Sequence, residues 1–175
     1  MASYYEFTGE TKVEFGVTLK RIRATVSFTL KCGLKIEKGQ VGGWIEKEDN
    51  LSGNAWVYGD AWVSGNAWVY GNARVSGNAW VSGNAWVYGD AFIKTNQHIL
   101  QIGKIGSREA TTTFFRNKEG IIKVVCGCFY GTLAEFREKV KRTHGEESKH
   151  GKVYLTAATL AELQIDVSPI EGDPE

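Results

Sequence analysis

The chain has 175 residues and 42% of them are hydrophobic, which is enough for a folded core and excludes a disordered segment. Its 21 Lys and Arg residues almost balance its 20 Asp and Glu residues, so a uniformly basic surface for a nucleic-acid polymer is excluded. The 21 Gly, 6 Trp and 2 Pro residues indicate regular tight corners rather than Pro-rich linkers.

The cellular compartment is inferred from segments that the chain lacks. No apolar run reaches the about 20 residues that cross a bilayer, and residues 1–10 lack the basic and apolar parts of a secretory signal. Cys32, Cys126 and Cys128 make an odd number and a poor disulfide framework. We therefore expect no membrane association and a reducing cytosol.

The first 50 residues are predicted to form an N-terminal β-rich cap. Aromatic and aliphatic residues alternate over 4–15 and 18–30 on either side of a turn at Gly16. Residues 38–50 are rich in turn-forming residues and lead into the central segment. We expect Trp44 to cover the open end of that segment.

The central segment has a period of six residues. From Leu51 to Phe92 the chain reads LSGNAW, VYGDAW, VSGNAW, VYGNAR, VSGNAW, VSGNAW, VYGDAF, followed by a degenerate hexad that ends at His98. Gly and Asn or Asp tolerate positive φ and predict a corner in each hexad. Alternation directs the aliphatic residues inward and the Ser or Tyr and aromatic positions outward, with Ala filling a narrow space near the corner.

These hexads resemble the repeats of parallel β-helices, most closely the left-handed triangular kind, in which three hexapeptides make one coil. The resemblance implies a mainly β fold: a short parallel β-helix over 51–98 between the cap (1–50) and a C-terminal α+β unit (99–175). A right-handed helix is the alternative. Residues 18 apart would stack at about 4.8 Å. The expected columns are Trp62–Trp80, Trp68–Trp86, Tyr70–Tyr88 and Trp56–Arg74–Phe92, the last suited to cation–π contacts.

The C-terminal segment is predicted to be a small ββαα unit with an acidic tail from residue 166. Strands are expected over 99–105 and 111–115, with a hairpin turn at 117–120 and a return strand over 121–125. Thr132 and Glu135 form a capping box before a helix over 133–143. A second helix is expected over 153–163.

The chain as a whole resembles phage and prophage hexapeptide-repeat proteins of uncertain activity. The shared features are the opening YEFTGETK, the lead-in GGWIE, the GNAxV hexads and the ending TTTFFRNKEGIIKVVCGCFYGTLAEF. This resemblance implies a viral protein that acts in the cytoplasm of an infected bacterium.

Known catalytic and metal-binding patterns are poorly represented in the sequence. Hexapeptide acyltransferases use a histidine base, but the seven hexads contain none and only His98 lies nearby. Cys126 and Cys128 have no second ligand pair of zinc-site spacing. We therefore expect no catalytic residues, no metal and no cofactor.

The polar residues of the C-terminal segment and the aromatic columns of the repeat together suggest a binding site for a phosphorylated ring compound. Residues 104–152 hold eleven Lys or Arg against six Asp or Glu, and hydroxyl and guanidinium groups suit phosphate oxygens. Indole faces suit planar rings. The candidate ligand-binding residues are Arg108, Thr111, Thr113, Arg116, Lys118, Trp62, Trp68, Trp80, Trp86 and Arg74. The alternatives are a solvated hairpin face for the polar cluster and ladder packing with self-association for the aromatic columns.

The sequence thus predicts a non-catalytic, oligomeric binding protein, because outward aromatic columns form large exposed apolar patches. The resemblance to hexapeptide-repeat families implies a trimer first and a dimer next. Because the resemblance implies action in an infected bacterium, the expected role is to sequester a nucleotide-derived immune signal of the host. A structural or virion assembly protein is the alternative, and a hexapeptide-type acyltransferase is the third.

Overall fold

The computed structural model describes residues 4–170, so the end of the expected acidic tail lies outside the described residues. The described chain is mainly β and ends in two helices. Its strands are β1 (Tyr5–Glu14), β2 (Val17–Ala24), β3 (Phe28–Thr29), β4 (Lys35–Ile36), β5 (Val41–Ile45), β6 (Trp56–Val57), β7 (Trp62–Val63), β8 (Trp68–Val69), β9 (Arg74–Val75), β10 (Trp80–Val81), β11 (Trp86–Val87), β12 (Phe92–Ile93), β13 (Ile99–Ile105), β14 (Ala110–Arg116), β15 (Ile122–Cys126) and β16 (Phe129–Thr132). The helices are α1 (Leu133–His144) and α2 (Lys149–Gln164).

Strands β1 and β2 form an antiparallel hairpin that extends the repeat. The turn lies at Phe15 and Gly16, whose φ angles of 48° and 79° place both in the left-handed region. Strand β2 pairs antiparallel with β5, and β5 pairs parallel with β7. The resulting five-stranded sheet has the order β1-β2-β5-β7-β10, so the solenoid ladder starts within the N-terminal segment.

Three parallel ladders with an 18-residue offset define the repeat region, residues 41–93. Trp80 pairs with Trp62, Trp86 with Trp68, and Arg74 lies between Trp56 and Phe92 in register. The columns expected from the hexad period are therefore present. The two-residue strands of each hexad are separated by corners whose glycines have positive φ.

The interior of the repeat region is lined by the aliphatic and Ala positions, as predicted. Val57, Val63, Val69 and their equivalents are fully buried, together with the repeat alanines. Two of the Ser positions predicted to point outward, Ser64 and Ser76, are nevertheless buried: Ser76 is only 1% exposed, and its hydroxyl donates to the carbonyl oxygen of Ile93 at 3.4 Å.

The flanking segments cover part of the aromatic columns. Trp56 is fully buried, and the ring of Phe28 packs edge-on against it at 5.6 Å. Trp44 does not cover the open end of the repeat. It lies in the outer column with Trp62, where both indoles pack with Leu19 in one buried cluster.

The C-terminal unit (residues 99–165) contains a four-stranded antiparallel sheet in the order β13-β14-β15-β16. The three expected strands are present, whereas β16 was not expected, so the predicted ββαα description was incomplete. The Thr132–Glu135 capping box begins α1 as predicted. Helix α2 begins four residues earlier than expected because Ser148 caps it by accepting a hydrogen bond from the Gly151 N–H.

The C-terminal sheet has two different faces. On one face, Phe114 and Val124 pack against Phe136 of α1 and Tyr154 of α2. On the other face, Phe115 and Val125 belong to the same buried cluster as the repeat interior. The sheet therefore separates a helix side from a solenoid side, and each side has its own pocket.

Candidate ligand-binding site

A groove lies where the last repeat coil meets the solenoid side of the C-terminal sheet. It consists of two adjoining pockets of about 590 and 380 Å³, which share Asn84 and Thr111 as lining residues. Trp80 lines the first pocket and Trp86 lines the second. We call this feature the junction groove.

Trp80 is the last residue of the column Trp44–Trp62–Trp80. Its ring is stacked on that of Trp62 at 4.6 Å with an interplanar angle of 6°, and it is parallel to Phe15 at 5.4 Å. Its backbone N–H donates to Oδ1 of Asn96 at 2.7 Å. The side chain is held by stacking and is still 37% exposed, so it offers apolar surface to the groove.

Trp86 lies on the next ladder, beyond the corner at residues 82–84. Its backbone N–H donates to Oγ1 of Thr113 at 3.3 Å, which ties this coil to β14. The residue is 44% exposed and packs edge-on against Trp68 at 6.2 Å. The two most C-terminal indoles of the repeat therefore flank one corner.

The polar lining of the groove comes from the corner and from β13 and β14. Gln101, Asn96 and Asn84 supply amides to the first pocket, and Thr111 supplies a hydroxyl to both. Such groups can form hydrogen bonds with the polar edge of a ring whose face is stacked on an indole.

Lys104 and Glu109 line the second pocket with opposite charges. Their φ angles of 49° and 48° are unusual for residues other than Gly. Each such conformation costs about 1–3 kcal/mol and is found preferentially at binding and catalytic sites. The end of β13 and the loop that follows it are therefore each held in a strained backbone conformation at the edge of the groove.

The structure brings four of the ten predicted ligand-binding residues to this groove, namely Trp80, Trp86, Thr111 and Thr113. Three of the other predicted residues make their contacts within the repeat instead. Trp62 is buried in the outer column, and Trp68 donates from Nε1 to Oγ of Ser52 at 2.8 Å. Arg74 is buried with its guanidinium 4.5 Å from the ring of Phe92 and 4.8 Å from that of Tyr58, so Tyr58 supplies an aromatic face that the predicted column did not include.

Arg116, Lys118 and Arg108 do not line the groove either. Arg116 is 1% exposed and donates to backbone carbonyl oxygens of Asn117, Asp166, Ser168 and Lys118. Lys118 is exposed and donates to the carbonyl oxygen of Cys32 at 3.1 Å. Arg108 lines a separate pocket on the helix side of the sheet.

The groove residues missing from the sequence-based set are Asn84, Asn96, Gln101, Lys104 and Glu109. Asn84 belongs to a repeated corner motif, so no local feature separates it from the other corner residues. The signal for Asn96 and Gln101 is the break in the period after Phe92, because an interrupted repeat often marks where another unit packs.

His98, the residue nearest to an acyltransferase base, is buried at the end of the repeat. Its Nδ1 accepts a hydrogen bond from the Lys94 N–H at 3.0 Å. Burial lowers the pKa of His98, and the positive charge of Arg116 lowers it further. Within residues 4–170, no three His, Cys, Asp or Glu side chains are grouped as a metal site, and no helix is long and apolar enough to span a membrane.

The ladders define a β-solenoid repeat protein. In agreement, residues 67–83 match the family model described as the YdcK beta solenoid repeat. No curated protein and no solved structure matches the chain.

Proposed function

We propose that this chain is a non-catalytic binding protein that holds a planar, phosphorylated ring compound of the nucleotide class in the junction groove. The proposal includes a left-handed parallel β-helix as the rigid scaffold and a homo-oligomer as the working form. It also places the protein in the cytoplasm of a phage-infected bacterium, where it would sequester a nucleotide-derived immune signal. The resemblance to phage hexapeptide-repeat proteins supports this setting.

The observation that carries the proposal is the pair of exposed indoles in one groove. Trp80 and Trp86 come from different ladders and are fixed by stacking, edge contacts and backbone hydrogen bonds. Because their positions are fixed in advance, a ring that stacks on them costs little ordering entropy in the protein. Stacking on one aromatic side chain contributes about 1–3 kcal/mol.

Lys104 supplies the positive charge for a phosphate in this arrangement. It is the one cationic side chain that lines the groove within the described part of the chain. A Lys–phosphate contact is a charge-assisted hydrogen bond, which is about twice as strong as a neutral one. Glu109 on the same pocket wall disfavours highly charged ligands, so a ligand with few phosphates is expected.

The test is a thermal-shift screen of cyclic and linear nucleotides followed by calorimetry. A compound that binds only the folded state raises stability by about 2.7 kcal/mol at a hundredfold excess over Kd. Trp80→Ala and Trp86→Ala should each weaken binding by about 1–3 kcal/mol. Mass spectrometry of the ligand released on denaturation should show it unchanged.

Trp68→Ala is the matched control, because Trp68 is 36% exposed and Trp80 is 37% exposed, yet Trp68 does not line the groove. We expect it to lose less ligand affinity than the Trp80 and Trp86 variants, because it removes only the edge contact between Trp68 and Trp86 and none of the groove lining. Equal losses in all three variants would show that indole removal acts through folding. A parent that binds no nucleotide, or one that converts the bound compound, would disprove the proposal.

Assembly into a larger structure is the second candidate function, and one surface favours it. Trp68, Trp86 and Tyr130 are each at least 36% exposed, and stacked Tyr70 and Tyr88 connect them. Exposed aromatic patches of this kind are typical of protein interfaces.

Light scattering over a dilution series should show a trimer or a dimer in the parent. Trp68→Glu should dissociate it if this surface is the interface, whereas Val13→Glu, an exposed change on the distant hairpin, should not.

A further inference from the structure

A second pocket of about 120 Å³ lies on the helix side of the C-terminal sheet, separated from the junction groove by the β13–β14 loop and the β15–β16 turn. Its walls come from the β13–β14 loop, the β15–β16 turn, α1 and Tyr154 of α2. The apolar floor includes Phe129 and Phe136. We call this feature the helix-side pocket.

Two glycines allow the walls of this pocket to approach closely. A Cβ at Gly106 would lie 1.9 Å from Cζ of Tyr154, and a Cβ at Gly127 would lie 2.6 Å from Nη1 of Arg108. Both glycines also have positive φ. The phenol of Tyr154 and the guanidinium of Arg108 therefore pack directly against backbone that a side chain at either glycine would displace.

The charged lining of the pocket is entirely basic. Arg108 and Lys139 line it, and no Asp or Glu does within the described chain. Neither side chain has a carboxylate within 4.0 Å among residues 4–170. By contrast, Arg137 and Lys141 of the same helix pair with Glu162 and Glu146. Uncompensated positive charge is thus concentrated at the pocket.

Hydrogen-bond donors surround these two charges. Ser107 and Thr143 contribute hydroxyls, His144 contributes an imidazole, and Arg108 has a long contact of 3.8 Å from Nη2 to Sγ of Cys128. A thiol is a weak acceptor, so an anionic oxygen is a better partner for that guanidinium. The carbonyl end of α1 faces this region and opposes an anion slightly, by an effect that two full charges outweigh.

We propose that the helix-side pocket binds a small oxyanion of phosphate chemistry, held by Arg108 and Lys139. Pockets for drug-sized ligands measure about 300–1,000 Å³, so a cavity of this size admits one such group rather than a whole nucleotide. The group is either free phosphate or the phosphate of a monoester whose remainder stays in solvent. This site does not rest on the function proposed for the junction groove, and it opens on the opposite face of the sheet, although both pockets use the β13–β14 loop and the β15–β16 turn.

Calorimetric titration with inorganic phosphate at constant ionic strength tests the proposal. Arg108→Gln and Lys139→Gln should each weaken phosphate binding about tenfold or more, because each removes a charge-assisted hydrogen bond. Lys141→Gln removes the same charge from the same helix outside the pocket and should leave affinity unchanged. No phosphate binding by the parent, or an equal loss in the Lys141 variant, would overturn the proposal.

Alkylation of Cys128 supplies a readout that needs no variant. Cys128 is exposed and lines the pocket, whereas Cys32 is half-buried elsewhere and serves as an internal reference. Phosphate, compared with chloride at the same ionic strength, should slow alkylation of Cys128 relative to Cys32. Equal relative rates in both salts would count against the site.

A comparison of two phosphate compounds distinguishes the sources of the oxyanion. Tighter binding of glycerol phosphate than of inorganic phosphate would identify a monoester as the ligand, and the reverse would identify the free anion.

Discussion

Nη1 of Arg116 donates to the carbonyl oxygen of Ser168 at 2.7 Å and so attaches the chain that follows α2 to the end of β14. The same nitrogen donates to the carbonyl oxygen of Asp166 at 3.2 Å, and Nε donates to that of Asn117 at 3.1 Å. Burial lowers the pKa of Arg116, although a guanidinium stays charged at any physiological pH. The side chain thus acts as a buried clamp for backbone carbonyls.

Arg116→Met should lower the free energy of unfolding by about 2–4 kcal/mol, because several buried carbonyl oxygens lose their donor. Urea unfolding measures the change. Lys118→Met, on an exposed neighbour, should change it by about 0.5 kcal/mol or less. An Arg116 variant that loses ligand affinity at unchanged stability would instead support the binding role that the sequence predicted.

Val69→Asp should destabilise the fold by several kcal/mol, because the carboxylate would be placed in the dry interior of the repeat. Asn78→Asp adds the same group at an exposed corner, where other hexads already carry Asp60 and Asp90, and should cost about 0.5 kcal/mol or less. Melting curves of the two variants make the comparison. Similar melting temperatures would contradict the assignment of interior positions.

Gly77→Ala should be more destabilising than Gly83→Ala, although the φ angles of 61° and 65° impose similar backbone strain. A Cβ at Gly77 would lie 2.5 Å from the carbonyl oxygen of Lys94, whereas at Gly83 the nearest atom is Oε1 of Gln101 at 3.4 Å. We expect a difference of about 1–3 kcal/mol in urea unfolding. Equal costs would mean that the backbone near Lys94 moves freely.

His98 should make the fold less stable in mild acid. Its folded pKa is lowered, first by burial and then by Arg116, so protons bind the unfolded chain more tightly. Stability from neutral His98 is present above the unfolded pKa of about 6.5 and is lost as pH falls through the lower folded pKa. Unfolding free energies at about pH 7.5 and about pH 5 should differ more in the parent than in His98→Gln.

The hexad period predicted the local features of the repeat well. An 18-residue coil places Trp62 beside Trp80 and Trp68 beside Trp86 because stacking distance depends only on the repeat itself. The inward Val positions follow from strand alternation for the same reason. The Thr132–Glu135 capping box was equally readable, since all its partners lie within four residues.

Features that depend on packing between segments were not predictable. Nothing in the hexads shows that the N-terminal segment buries Trp56 while Trp86 stays exposed. Arg116 resembles other basic residues of its hairpin, and only the later chain around Ser168 turns it into a clamp. The sequence therefore predicted only part of the candidate groove. Its two indoles were among the predicted ligand-binding residues, whereas Asn96 and Gln101 were identified only from the three-dimensional structure.

The 18-residue offset of the ladders also determines which changes in length the molecule can accept. Adding or removing 18 residues would shift the C-terminal sheet by one strand spacing, about 4.8 Å, and leave it beside the same ladder. Removing six residues would bring a different ladder under that sheet and separate Trp80 and Trp86 from Thr111. Natural length variants that keep the junction groove should accordingly differ by multiples of 18 residues, while the N-terminal hairpin and the C-terminal unit remain constant.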